Sequence, residues 1–259
     1  MPRRDITAVV RELCLSFPEA EEVAAHGMSN FRVRGKIFSV YALNHHGDGR
    51  IALWLNAPPG AQSVYVREEP RYFFVPPYVG PRGWLGVLLD RGLAWQRIAE
   101  LVREAYEKVA PTKLSRQIGK PKRIRPPSVP LRRETIDPFA SKRGVAVLKA
   151  MRAICLPLPE TGEARQFGHP VWRVGKKVFA RVLSRERGIG VAFWVGRAQQ
   201  GLFTADPLFS VPPYIGHNGW IELDVGKSAD WKVVRSLIAQ SYRHYASKRV
   251  LRLMDLPLV

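Results

Sequence analysis

Basic side chains recur in two short stretches of the sequence, where they alternate with apolar residues as in a β-hairpin. These cations are Arg32, Arg34, Lys36, Arg173, Lys176, Lys177 and Arg181. Arginine binds phosphate through a planar fork of N–H donors, and lysine acts as a point charge. Strand alternation predicts that Arg32 and Arg34 share one face, opposite Phe31 and Val33. Because an outer sheet face also alternates when it only meets water, the stretches are candidate phosphate-binding hairpins, with a solvated surface as the alternative.

A second group of cations lies in the segment between the two stretches. Residues 110–139 contain six prolines and the basic residues Lys120, Lys122, Arg123 and Arg125. Prolines and like charges favour an extended, semi-rigid connector without a core of its own. Such a connector can follow a phosphate backbone by counterion release, whatever the base sequence. A soluble tether is the equally simple interpretation.

The net charge of the chain points to a polyanionic partner. The chain carries 41 Lys and Arg residues against 22 Asp and Glu residues, a formal charge of +19. Residues 1–110 contribute only +2, whereas residues 111–140 contribute +6 and residues 141–259 contribute +11. This distribution favours nucleic acid over a membrane as the partner of the basic second half. A generally basic, solubilising surface is the alternative.

The sequence contains no pattern of residues that indicates catalysis or cofactor binding. No grouping of His, Cys and Asp has the spacing of metal ligands, and Arg187-Gly188-Ile189-Gly190 is a hairpin turn, not a phosphate-binding loop. Cys14 and Cys155 lie in apolar helical patterns, which is typical of buried thiols in a reducing compartment. No apolar run approaches the ~18 residues of a membrane span. We therefore expect a cytoplasmic, non-catalytic protein without metal or cofactor.

The elements that must position these cations belong to a tandem duplication. Residues 75–84 return as residues 211–220, with the shared pattern Val-Pro-Pro-Tyr-x-Gly-x-x-Gly-Trp. Upstream, residues 13–40 match residues 154–181, including the cysteines and the first cations of each hairpin. A repeat this long indicates two whole domains and not a solenoid. We predict a first domain at 1–112, a basic linker at 113–139 and a second domain at 140–259.

Each copy has the pattern of an α+β domain. An amphipathic helix, a meander of three antiparallel strands, a short helix, one or two further strands and a closing helix follow one another. Asp230 is a candidate N-cap for the last helix. Two pairs of tryptophans lie where a strand and a helix should face the core, namely Trp84 with Trp220 and Trp95 with Trp231. Packing is therefore favoured over base stacking for these rings.

The order of motifs resembles the MmcQ/YjbR family along nearly all of each copy. In the second copy the matching residues are Pro159-Glu160, Gly168, Trp172-Arg173-Val174, Lys177-Val178-Phe179, Tyr214, Gly219-Trp220 and Ser241-Tyr242. The resemblance implies a two-layer α+β domain with an antiparallel sheet, also seen in type III secretion chaperones. It further implies DNA binding, proposed for the family from a double-wing arrangement of strands. The first copy departs from the pattern, with Ala105-Tyr106 in place of Ser-Tyr.

Together these features predict two tandem YjbR-like domains that bind nucleic acid, DNA before RNA, through its backbone and without catalysis. The second domain and the connector should supply most of the attraction, and the two domains could pack as a pseudo-dimer. A protein-interaction module with a chaperone-like role is the alternative. Salt separates the two, because phosphate binding weakens steeply as salt rises and an apolar interface does not.

Overall fold

The chain forms two compact units, Met1–Ile136 and Asp137–Val259. The structure, a computed structural model, describes residues 4–25, 27–119, 124–185, 188–225 and 229–253. Each unit is an antiparallel six-stranded sheet with helices packed on it. The α+β class and the tandem arrangement predicted from the sequence are confirmed.

The first unit places two long helices, α1 and α3, around a meander. Its helices are α1 (Ile6–Leu15), α2 (Ala61–Glu68), α3 (Trp95–Val109), α4 (Thr112–Ser115) and α5 (Arg133–Ile136). Its strands are β1 (Ala20–Ala25), β2 (Met28–Val33), β3 (Lys36–Leu43), β4 (Ile51–Leu55), β5 (Phe73–Phe74) and β6 (Leu85–Leu88). They pair in the order β1-β2-β3-β4-β6-β5. The meander therefore has four strands, and the prediction of three was wrong because β1 lacks the apolar alternation of a strand.

The second unit repeats this plan. Its helices are α6 (Lys142–Cys155), α7 (Arg197–Thr204), α8 (Trp231–Tyr245) and α9 (Lys248–Arg252). Its strands are β7 (Thr161–Gln166), β8 (His169–Val174), β9 (Lys177–Arg185), β10 (Gly188–Trp194), β11 (Phe209–Ser210) and β12 (Trp220–Asp224). The order β11-β12-β10-β9-β8-β7 is that of the first sheet, read from the opposite edge.

In both units the main core lies between the long helices and one face of the sheet. Phe31, Phe38 and Tyr106 are fully buried in the first core, and Trp172 and Tyr242 are fully buried in the second. Caps fix where the helices of the second unit begin, since Ser141 accepts a hydrogen bond from the Gly144 amide and Asp230 accepts one from the Lys232 amide. The N-cap predicted at Asp230 is confirmed.

A β-bulge recurs in both meanders and decides which way the strand residues face. The pairing shifts register between Phe31 and Arg32 in the first unit and between Trp172 and Arg173 in the second. A bulge inserts one extra residue, so the alternation of faces slips by one beyond it. Strict alternation from the buried Phe179 would place Arg181 on the core face. The bulge places Arg181 on the outer face instead.

The outer face of each sheet carries a small apolar cluster of its own. In the first unit this cluster contains Trp54 and Trp84. In the second unit it contains Leu183, Ala192 and Trp220. Each outer face therefore contains a packed apolar cluster with tryptophan. It is not the evenly solvated polar face that strand alternation suggested.

The described part of the connecting segment packs on the first unit. Leu114 of α4 is buried in the first core, and Ile124, Leu131 and Ile136 are partly buried against it. The Ser128 amide donates a hydrogen bond to the carbonyl of Arg4 at 2.7 Å. Apolar contacts and this hydrogen bond hold the described connector against the first unit as far as Ile136.

Candidate nucleic-acid interface

The first hairpin, β2–β3, separates its three cations. Arg32 lies on the outer face of the sheet, with its Nε buried and without a hydrogen-bond partner among the described residues. Arg34 lies in the turn at a φ of 50°, where its guanidinium donates to Glu19 at 2.8 Å. Lys36 is exposed opposite Val33. Arg32 and Arg34 therefore do not share a face, and that prediction was wrong because the strand ends at Val33.

The second hairpin, β8–β9, brings two arginines together on the outer face. Arg181 of β9 pairs with Val171 of β8, and Arg173 lies two residues beyond Val171 on β8. Lys176 and Lys177 are exposed at the tip of this hairpin. None of these four cations forms an ion pair with a described acidic residue. In the described chain, this hairpin therefore concentrates positive charge outside any ion pair.

The electrostatics of Arg181 reflect its crowded position. Burial lowers the pKa of its guanidinium, Tyr245 raises it, and the positive charge of Arg173 lowers it again. The Nε atoms of Arg173 and Arg181 are both buried, and neither has a hydrogen-bond partner among the described residues. Two neighbouring, partly desolvated cations repel each other until an anion lies between them. A phosphate group has the charge and the acceptor oxygens to do so.

The tryptophans do not serve as open stacking platforms. Trp84 is 8% exposed and Trp220 is 5% exposed, so both rings are packed, as predicted. They pack in the clusters of the outer faces and not on the core face that the sequence suggested. The ring of Trp220 lies 5.3 Å from the guanidinium carbon of Arg181, and its Nε1 donates to the hydroxyl of Tyr245 at 3.1 Å. Trp220 therefore makes a cation–π contact with Arg181, because an arginine over an aromatic face is attracted to the ring quadrupole.

The structure describes one of the four connector cations, Arg125. Arg125 is exposed to solvent. Lys120, Lys122 and Arg123 lie outside the described residues. Their predicted contact with a phosphate backbone stays a prediction.

The repeated proline loop is fastened to the short helix beside it. Gln62 donates from its amide nitrogen to the carbonyls of Gly80 and Trp84, at 2.8 and 2.5 Å. Gln200 makes the same two bonds in the second unit, at 2.6 and 2.9 Å. Sequence reasoning missed this pair because the glutamines lie 138 residues apart, a spacing that matches neither aligned block.

Glycines allow this loop to fold tightly. A Cβ atom on Gly80 would come within 2.4 Å of a Val75 methyl group, and one on Gly216 would come within 2.1 Å of a Val211 methyl group. Tyr78 and Tyr214 are held at left-handed φ values of 62° and 65°. The two rings are 67% and 79% exposed. The loop therefore presents one tyrosine on the surface of each unit.

The recurring Pro-Glu and Tyr motifs are joined by one hydrogen bond. The hydroxyl of Tyr106 donates to the carbonyl of Pro18, and the hydroxyl of Tyr242 donates to that of Pro159, both at 2.6 Å. Both tyrosine side chains are fully buried. The closing helix is thereby tied to the turn after the first helix, which gives these motif residues a structural role.

The cysteines and the potential metal ligands of the described residues can be placed directly. Both cysteines are buried and unpaired, as predicted, and burial raises the pKa of each thiol well above its usual range. A thiol held protonated is a poor nucleophile. No group of three or more His, Cys, Asp or Glu side chains in the described ranges could hold a metal ion. No described helix is long and apolar enough to cross a membrane.

The fold and surface define a class of protein: a duplicated two-layer α+β domain whose second copy bears an unbalanced cationic hairpin. The family model YjbR matches residues 15–108 and 156–244, so the chain belongs to the YjbR family, with two copies of its domain. The chain is also similar to the crystal structure of Deinococcus radiodurans protein DR2400, a DUF419 domain. The identity is 18%, the match covers 47% of this chain and 92% of that one, and the TM-score is 0.37. None of the curated proteins compared with this chain is similar to it.

Proposed function

We propose that the protein binds nucleic acid through its phosphate backbone, without catalysis, and that the β8–β9 hairpin of the second unit is the main contact. The observation that carries the proposal is the pair of arginines, Arg173 and Arg181, with no acidic partner among the described residues. Lys176 and Lys177 extend the same positive surface to the tip of the hairpin. Four cations in one place suit a repeating anion better than a single small ligand.

The residues beneath this cationic surface hold Arg181 in place. The ring of Trp220 lies beneath Arg181, and the bulge keeps Arg181 on the same face as Arg173. Cations held in place lose less side-chain entropy when they bind than mobile ones do. Contacts from such cations to phosphate groups do not depend on the bases, so the proposed binding is independent of sequence.

The first unit contributes less to binding in this proposal. Arg34 is already held by Glu19, and Val40 occupies the position that corresponds to Arg181. Residues 1–110 as a whole carry a net charge of only +2. Its hairpin therefore serves as a natural comparison for that of the second unit.

The test compares the two hairpins in the full chain. One variant carries Arg173→Gln, Lys176→Gln and Lys177→Gln. Binding to a fluorescent random duplex is followed by anisotropy at several salt concentrations. Each lost phosphate contact reduces the slope of log affinity against log salt by about 0.9, so we expect the slope to fall by about 2 to 3.

The matched control carries Arg32→Gln, Arg34→Gln and Lys36→Gln at the first hairpin, and we expect a change of less than about 1 in the slope. Equal losses in both variants would contradict the leading role of the second unit. An unchanged slope in both would place the phosphate contacts outside the two hairpins. Failure of the unaltered chain to bind duplex at low salt would refute nucleic-acid binding altogether.

A protein-interaction module is the second candidate, and the exposed proline loops favour it. Tyr214 and Val211 are 79% and 52% exposed, and their counterparts Tyr78 and Val75 are exposed to a similar degree. Exposed aromatic residues are frequent anchors of protein interfaces. A partner captured by the chain that stays bound in high salt, and is lost when both tyrosines become serine, would support this function over phosphate binding.

A further inference from the structure

The two long helices of the second unit form a layer on the side of the sheet opposite the cationic hairpin surface. The buried faces of α6 and α8 pack into one core with the inner face of the sheet, through residues such as Met151 and Ile238. Arg181 and Trp220 lie on the outer face. A helix is about 10 Å thick, so the solvent side of α6 and of the first turns of α8 is separated from the hairpin surface by the depth of the unit. Only the end of α8 reaches the outer face, where Tyr245 accepts a hydrogen bond from Trp220.

This helix layer is uniformly basic. Helices α6 and α8 contain seven Lys or Arg residues and no Asp or Glu. One of the seven, Arg152, is bound by Glu163 through two hydrogen bonds of 2.7 and 2.8 Å. The other six are exposed and form no ion pair with a described residue; they are Lys142, Arg143, Lys149, Lys232, Arg235 and Arg243.

The corresponding helix of the first unit shows that the fold does not require this charge. Helix α3 carries Glu100, Glu104 and Glu107 beside three basic residues. Two of its cations are paired, Arg97 with Glu69 at 3.3 Å and Arg103 with Glu107 at 2.8 Å. In the aligned positions of α8, Ser236 replaces Glu100 and Arg243 replaces Glu107. Packing explains the buried face of each helix, and it leaves the charge of the exposed face of α8 unexplained.

We propose that the helix layer of the second unit is a second phosphate-binding surface, so that one chain holds two separate nucleic-acid duplexes on opposite sides of this unit. The inference rests on the proposed function of the hairpin. A duplex resists bending, with a persistence length of about 50 nm. One short duplex therefore cannot wrap from the hairpin to the helix layer. Two basic surfaces facing away from each other recruit two segments.

The test is a helix-layer variant built from the residues of the first unit. It carries Lys149→Ala, Lys232→Gln, Ser236→Glu and Arg243→Glu, because Ala8, Gln96, Glu100 and Glu107 occupy the aligned positions. All four positions are exposed, and the fold already accommodates these residues in its other copy. The variant lowers the net charge by five, one for each of the first three changes and two for the last.

Sedimentation velocity with an excess of a short labelled duplex measures how many duplexes one full-length chain binds. We expect two duplexes for the unaltered chain and one for the helix-layer variant. Anisotropy on a single duplex should still report binding by this variant, because its hairpin is intact. Circular dichroism of the variant confirms that the helices remain folded.

The outcomes separate the two proposals. If the unaltered chain binds one duplex only, the helix layer is not a second site, although the hairpin proposal stands. If the variant still binds two duplexes, the second site lies elsewhere in the chain. If the unaltered chain binds no duplex, both proposals fail. Sedimentation with vesicles of anionic phospholipid adds one more arm: loss of vesicle binding in the variant, with a single duplex bound by the unaltered chain, would assign the helix layer to a membrane surface.

Discussion

The substitution Arg181→Val tests whether the arginine on the outer face serves binding or packing. Val40 occupies the aligned position of the first unit and is 5% exposed, so the fold accepts valine there. Arg181 lies beside Leu183, Ala192 and Trp220. The change therefore removes one cation and leaves an apolar side chain in an apolar cluster.

The effect on the free energy of unfolding should be small, because the gains and losses are similar in size. Burying a valine side chain contributes about 1.5–3 kcal/mol. Removing the arginine forfeits a cation–π contact of about 0.5–2 kcal/mol together with the packing of its aliphatic stem. Repulsion from Arg173, which lowers the pKa of Arg181, disappears. We expect the free energy of unfolding to change by less than about 1 kcal/mol in urea denaturation.

The effect on binding should be much larger than the effect on stability. A charge-assisted hydrogen bond contributes about 1.5–3 kcal/mol, so affinity for a duplex at low salt should fall roughly tenfold or more. The salt slope should fall by about 0.9. Arg34→Gln is the control, since Arg34 is already held by Glu19, and it should leave both quantities nearly unchanged. A loss of more than about 2 kcal/mol in stability with an unaltered salt slope would show that Arg181 serves packing alone.

Two further predictions concern the motifs shared by both units. Gly219→Ala should destabilise the chain by about 2–3 kcal/mol, because its φ is 89° and the new Cβ would lie 2.8 Å from the Cα of Gly196. Gly83 has a φ of 80° with open space around it, so Gly83→Ala should cost only about 1–2 kcal/mol. Equal losses of stability for the two variants in urea denaturation would contradict the clash with Gly196. Tyr242→Phe removes the 2.6 Å hydrogen bond to the carbonyl of Pro159 and should cost about 0.5–1.5 kcal/mol by the same measurement, whereas an unchanged stability would show that the bond makes no net contribution.

The sequence predicted those parts of the fold that the repeat and the apolar periodicity determine. The matching Val-Pro-Pro-Tyr blocks placed two domains in the chain. Helical spacing and the N-cap at Asp230 predicted a closing helix in the second unit, and the structure has it at Trp231–Tyr245. The turn before β4 contains residue types that tolerate a positive φ, and Asn44 and Gly49 have φ values of 48° and 71° there. These signals are local, so a single sequence is enough to find them.

The remaining features depend on contacts between distant residues. The first strand of each meander has weak strand propensity and forms because it pairs with the next strand. It is also anchored by an arginine of the first helix, Arg11 to Glu22 in one unit and Arg152 to Glu163 in the other. Those four residues recur in the alignment, and their recurrence was the available signal. The bulge that turns Arg181 to the outer face left no such signal, because it follows from sheet pairing.

The candidate site follows from what the duplication kept and what it changed. Both copies keep the buried tyrosine, the proline loop and the bulge, which the fold requires. They differ where the fold requires nothing, on the exposed helix face and on the outer sheet face. At those places the first copy has either a carboxylate beside its cations or a valine. The second copy has cations without a described acidic partner. Like charges gathered on a surface destabilise it, and only one of the two copies of this fold bears them. This difference between the copies is the reason why we propose that the surface binds an anion.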